Sequence, residues 1–100
     1  MQFACKVAEI PNWGKKVVTV GGQQVLLVNV KGALYACENE CPHQGSPLNG
    51  GIVKDGPILS CPRHGYRFNL QSGACSDYPE YTLKTYAVQV VGDDVMVDVE

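Results

Sequence analysis

The sequence predicts an all-β fold, an antiparallel β-sandwich or barrel. Three observations carry this. Short runs rich in Val, Ile, Leu, Thr and Tyr recur along the 100 residues with alternating polarity. Clusters of Gly, Pro, Asn and Asp punctuate them at short intervals. No window repeats its apolar residues at the spacing of an amphipathic helix.

Each element follows from its own residues. Residues 3–10 alternate loosely and stop at Pro11, as a strand does. Residues 16–20 form a second strand, closed by Gly21-Gly22, and 24–30 a third. Lys31-Gly32 is hairpin-turn chemistry, and 33–37 is the returning strand. Residues 57–60 and 66–70 read as two further strands, the latter ending at the turn Gln71-Ser72-Gly73. Residues 83–91 and 94–99 pair across Gly92-Asp93 as a terminal hairpin. The expected organisation is one domain over 1–100, with a small subdomain of two loops at about 38–70.

Composition narrows the function. Apolar residues make up 45% of the chain, enough for one modest core, and charged residues 18%, well mixed. A formal net charge of −2 with no basic stripe disfavours nucleic-acid binding, while leaving room for docking on a basic face. No apolar run approaches a membrane span. Residues 1–6 lack the basic and apolar regions of a signal peptide. A soluble cytoplasmic protein is expected. The glycine pairs Gly21-Gly22 and Gly50-Gly51 make no phosphate loop, since neither has the required Lys and helix.

The chemistry sits in two matching knuckles, Cys41-Pro42-His43-Gln44-Gly45 and Cys61-Pro62-Arg63-His64-Gly65. They hold both histidines of the chain. Pro42 and Pro62 fix φ, and Gly45 and Gly65 permit the positive φ of a tight loop. The turn residues 46–51 suit a chain that folds back to bring the second knuckle beside the first. Two Cys and two His could hold structural zinc, but Cys-x-His is tighter than the usual zinc spacing. Cys37 does not complete the Cys-x4-Cys-x2-Cys of a plant-type ferredoxin. Cys5, Cys37 and Cys75 are expected to be packing residues with free thiols. With both histidines committed, none remains for a triad or a two-histidine, one-carboxylate iron site.

The knuckles resemble the signature of Rieske iron–sulfur proteins. The resemblance implies one [2Fe–2S] cluster, with Cys41 and Cys61 on one iron and His43 and His64 on the other. Imidazole binds as a neutral ligand where cysteine would bind as thiolate, so an added electron is repelled less and the reduction potential rises. In this family the histidine-bound iron takes that electron. The outer imidazole protons are held less tightly when the cluster is oxidised, so the potential should fall as pH rises past the imidazole pKa values.

Departures from the high-potential members locate this chain within the family. Those members carry two further cysteines that form a disulfide, at positions held here by Ser46 and Arg63. They also place a serine and a tyrosine, whose hydroxyls bond to the cluster sulfurs, where this chain has Tyr66 and Phe68. Phe68 has no donor, and the Tyr66 hydroxyl is expected to overshoot the sulfur. A potential below about +100 mV follows. The whole chain resembles the stand-alone Rieske ferredoxins of biphenyl or toluene oxygenase systems, through the knuckles, residues 66–73, a loop around Pro79 and residues 86–99.

That resemblance implies a monomeric carrier, without a substrate-transforming site, passing single electrons from an NAD(P)H-dependent flavin reductase to a terminal oxygenase. An accessory subunit of another oxidoreductase, of the nitrite-reductase type, is the alternative. The loop 77–80 is expected to pack against the cluster, with Gln44, Pro47, Arg63 and Pro79 as the docking rim. Trp13 is expected to cap the core, Arg67 and Lys84 to be solvated charges, and Asp93-Asp94 to be turn residues.

Overall fold

The computed structural model describes residues 1–42, 45–63 and 65–99. Within them, nine strands run in the order β1 (Gln2–Lys6), β2 (Lys15–Val20), β3 (Gln23–Val30), β4 (Ala33–Glu38), β5 (Ile52–Lys54), β6 (Ile58–Ser60), β7 (Arg67–Asn69), β8 (Thr85–Val91) and β9 (Asp94–Asp98). Six of them form one antiparallel sheet in the order β1-β9-β8-β4-β3-β2. Its outer strands β1 and β2 come together, so the sheet curls into a nearly closed barrel. The other three form a small antiparallel sheet, β5-β6-β7. Among the described residues, no helix is long and apolar enough to cross a membrane.

Strand β3 explains how the two sheets share one body. Residues 25–30 of β3 are buried without interruption. Successive side chains in a strand point to opposite faces. Val25 and Leu27 therefore enter the barrel interior with Cys5, Ile10, Ala36, Val95, Val97 and Val99. Leu26, Val28 and Val30 point the other way, into a second core with Cys37, Cys41, Leu48, Leu59, Cys61 and Phe68. The apolar run of β3 is the wall between two cores, and the second core lies beneath both knuckles. Asn29 is the polar exception. Its side-chain amide donates to the Ile10 carbonyl at 2.8 Å and accepts from the Gly32 N–H at 2.8 Å, which satisfies the group where it is buried.

The structure corrects several expectations from the sequence. The strand at 3–10 ends at Lys6, and Val7–Glu9 turns as a 3-10 helix. The Glu9 carboxylate accepts the Lys6 N–H at 2.7 Å and the Ile10 N–H donates to the Val7 carbonyl at 3.0 Å, so the turn still delivers Ile10 to the barrel core. Strand β5 was not expected, because turn chemistry dominates its flanks. Leu83 and Lys84 precede β8: the Leu83 N–H goes to the Gly73 carbonyl at 2.8 Å and the Lys84 N–H to the Glu38 carboxylate at 2.6 Å. Trp13 does not cap the core. It is 43% exposed at φ +67°, on a turn where Trp13 and Gly14 exchange backbone bonds with Asn29 and carry the β2–β3 hairpin outward. The turn at Asp93 between β8 and β9 is as expected.

Candidate metal centre

The echo between the two knuckles is structural. In the first, the Cys41 N–H donates to the Ser46 carbonyl at 2.8 Å and the Gly45 N–H to the Cys41 carbonyl at 2.7 Å. In the second, the Cys61 N–H donates to the Tyr66 carbonyl at 2.8 Å and the Gly65 N–H to the Cys61 carbonyl at 2.9 Å. Gly45 and Gly65 lie at φ +73° and +71°, where other residues are strained. The same hairpin corner is built twice, with a cysteine at the same place in each.

Cys41 and Cys61 are both buried and belong to one core with Leu48, Leu59, Phe68 and Leu83. All five cysteines are buried and unbridged. Ser46, buried, and Arg63, exposed, occupy positions where no disulfide can form. Burial, with Glu38 nearby as the lesser cause, pushes the Cys37 thiol up to about 12. Burial likewise raises the Cys5 thiol. The Cys75 sulfur accepts the Tyr78 N–H at 3.4 Å. These three behave as packing residues.

The segment after the second knuckle carries aromatic structure that the sequence did not announce. Tyr66, Tyr78 and Tyr81 form a three-ring cluster, with centroids 4.6 Å apart for Tyr66–Tyr78, 6.0 Å for Tyr66–Tyr81 and 6.2 Å for Tyr78–Tyr81. The Tyr66 phenol is held above its ordinary pKa, first by desolvation and then by its hydrogen bond with Tyr78. Phe68 is fully buried and has no donor to offer.

Arg67 is more than a solvated charge. Its guanidinium meets the Asp77 carboxylate at 2.8 Å, and its backbone N–H donates to the same carboxylate at 3.0 Å. This clamp ties residues 77–80 to β7, directly after the second knuckle. Asp77 is held below the ordinary carboxylate pKa, chiefly by the side-chain bond from Arg67 and then by its backbone bond. Lys84 is exposed and sits 5.4 Å from the centre of the Tyr86 ring. Pro47, Arg63 and Pro79 of the expected rim are exposed. Gln44, His43 and His64 lie outside the described residues.

The first knuckle is held by a residue that sequence reasoning passed over. Asn39, buried, accepts the Leu48 N–H on its side-chain oxygen at 3.0 Å and donates to the Gln24 side chain at 3.2 Å. An Asn two residues before a metal-type cysteine carries no distinctive spacing, so only the geometry reveals it. Lys15 reaches across from β2 to the Gly51 carbonyl at 2.6 Å and secures the chain between the knuckles.

This donor set fits a binuclear iron–sulfur group. Two thiols come from equivalent corners over one apolar floor, and each corner's sequence supplies an imidazole two or three residues on. A family model described as a Rieske-like [2Fe-2S] domain matches residues 2–98. The ferredoxin component of the naphthalene 1,2-dioxygenase system of Pseudomonas aeruginosa is 34% identical over 96 residues, covering 95% of this chain and 91% of that protein. Human apoptosis-inducing factor 3 is 34% identical over 94 residues, but the chain spans only 15% of its length and 93% of its own. Among solved structures, a chain from the complex of reduced oxygenase and oxidised ferredoxin in carbazole 1,9a-dioxygenase superposes with a TM-score of 0.84 at 28% identity, covering 95% of this chain and 89% of that one. The chain described as an NADH-dependent nitrite reductase small subunit from Mycobacterium tuberculosis superposes at 0.89 with 26% identity, covering 96% and 91%.

Proposed function

From a chain that belongs to the Rieske-like [2Fe-2S] domain family, we infer a one-electron carrier of the oxygenase-ferredoxin type. The observation that carries this reading is the duplicated corner that presents Cys41 and Cys61 over a shared core. Cys41 and Cys61 would hold one iron of the cluster, and His43 and His64 the other. Residues 1–100 act as one domain, with residues of about 38–70 forming the cluster-binding part. A bound cluster supplies one-electron chemistry at a potential that imidazole ligation raises.

The chain's own residues do the rest. Leu48, Leu59 and Phe68 exclude water beneath the thiolates, and Phe68 withholds the donor that would stabilise added electron density. With no hydroxyl supplied by Phe68 and the Tyr66 hydroxyl engaged by Tyr78, the potential lies below about +100 mV. No histidine beyond the ligand pair is available for substrate chemistry, so the chain acts as carrier and transforms no substrate. The partners are a flavin-dependent reductase fed by NAD(P)H and a terminal aromatic-ring oxygenase. They are met by a soluble cytoplasmic monomer through the exposed residues Pro47, Arg63 and Pro79, with Gln44 joining them by its place in the sequence.

The resemblance to a nitrite-reductase small subunit supports a second reading, permanent membership of a larger oxidoreductase. Purification separates the two: a free monomer supports the carrier, and obligate co-purification with a large subunit supports the accessory chain. Anaerobically prepared protein should contain iron and acid-labile sulfide in equal amounts. It should also give a rhombic EPR signal of low average g after reduction. His64→Cys should lower the potential or abolish the centre, whereas an unchanged spectrum would remove His64 from the ligand set.

A further inference from the structure

The two knuckles share a corner but not a support. Cross-strand pairing continues below the second: Ser60 faces Arg67 and Leu59 faces Phe68 in the β6–β7 ladder. Counting back from the first corner in the same way, Asn39 faces Leu48, because Cys41 bonds to Ser46 as Cys61 does to Tyr66. Yet residues 39 and 48 lie in no strand. At this place the Leu48 N–H goes to the side chain of Asn39, at 3.0 Å. The amide of Asn39 therefore stands in for a rung of the ladder. Its own N–H2 is fixed by the Gln24 side chain on β3, so the rung is anchored to the wall between the two cores.

We propose that Asn39 is the positioning residue of the first knuckle, holding the Cys41 loop in register with the second so that one cluster can bridge both. This rests on the reading of Cys41 and Cys61 as ligands. The physical case is the cost of the alternative. The Leu48 residue is fully buried, and a buried N–H left without an acceptor keeps its full desolvation penalty. Without Asn39 the loop must open to water to satisfy that group, and the opening moves Cys41. The second knuckle carries no such dependence, since its rungs are made by the backbone.

The test uses the holoprotein and three variants. Asn39→Ala removes the acceptor. Asn39→Asp keeps it and adds a charge, and the Gln24 amide can rotate to donate to the new carboxylate. Leu59→Val perturbs the second hairpin's packing as a control. The readouts are amide hydrogen exchange by residue, the rate of cluster bleaching by an iron chelator, and the midpoint potential. In Asn39→Ala, exchange at Leu48 and bleaching should each rise about tenfold, with exchange at Cys61 unchanged. Asn39→Asp should bleach at close to the wild-type rate while its potential falls.

Three outcomes would overturn the proposal: unchanged Leu48 exchange in Asn39→Ala, bleaching that rises no more than in Leu59→Val, or Asn39→Asp bleaching as fast as Asn39→Ala. If Asn39→Ala does not accumulate, Asn39→Asp against wild type still decides, because exchange at Leu48 must then remain protected. Iron and sulfide in the wild-type protein test the ligand reading separately, so its failure is visible as such.

Discussion

At the residue scale, two glycines that look alike in sequence differ in what surrounds them. Gly73 lies at φ +80°, and a Cβ there would meet the Leu83 carbonyl oxygen at 2.1 Å. Gly92 lies at φ +61° with no atom of the described residues within 4 Å of such a Cβ. Gly73→Ala should cost about 3 kcal/mol, from left-handed strain plus displacement of the 83 backbone, whereas Gly92→Asn should cost under about 1 kcal/mol. Urea unfolding of the two variants checks this, and equal midpoints would refute it. The thiols give a second prediction. With its pKa pushed up to about 12, Cys37 is thiolate to only about one part in ten thousand at pH 8. Iodoacetamide should leave Cys37 unmodified in the folded protein at that pH and label it once urea is added, as peptide mass spectrometry would record.

At the scale of elements, the loop 77–80 owes its place to a single clamp. Arg67 gives Asp77 both a guanidinium bond and a backbone bond, and the loop then brings Tyr78 against Tyr66. Because the folded pKa of Asp77 is depressed, its stabilisation is present above the ordinary carboxylate pKa and disappears as pH falls through the folded value. Hydrogen exchange in peptides covering 75–81 should therefore quicken as pH falls below the ordinary carboxylate pKa of about 3.9 in the wild type, beyond the intrinsic pH dependence. Asp77→Asn should exchange quickly already at pH 7 and lose that extra response. A wild-type loop indifferent to acid would contradict the clamp. The clamp was not legible in the sequence, where Arg67 and Asp77 stand ten residues apart with no periodicity to join them. Strand β9 was legible because its burial alternates, and β3 because its unbroken apolar run fills a core on each face. The end of β1 was not, since Val7, Ala8 and Ile10 suit a strand or a 3-10 turn equally and the carboxylate of Glu9 decides. The cysteines and histidines were legible by spacing, whereas Asn39 was not, because its role depends on a rung missing elsewhere.

At the scale of the whole molecule, β3 divides two cores, and neighbouring leucines in it answer to different parts of the protein. Leu26 faces the knuckles and Leu27 the barrel. Each leucine-to-alanine change should cost about 2–5 kcal/mol in global stability. Leu26→Ala should also accelerate chelator-driven cluster loss under conditions where the barrel stays folded, and Leu27→Ala should not. Equal acceleration would mean that the cores are not separable. The pairing of β1 with β9 joins Gln2–Lys6 to Asp94–Asp98, nearly the full length of the chain apart, while β2, β3 and β4 pair with their immediate neighbours. Pairings between distant segments form slowly, because the intervening chain must first be brought round. On the ribosome, the meander of β2 to β4 can assemble while synthesis continues, but β1 must wait for β9. Until then the barrel has an unsealed side, and a nascent chain in that state needs protection from pairing with its neighbours.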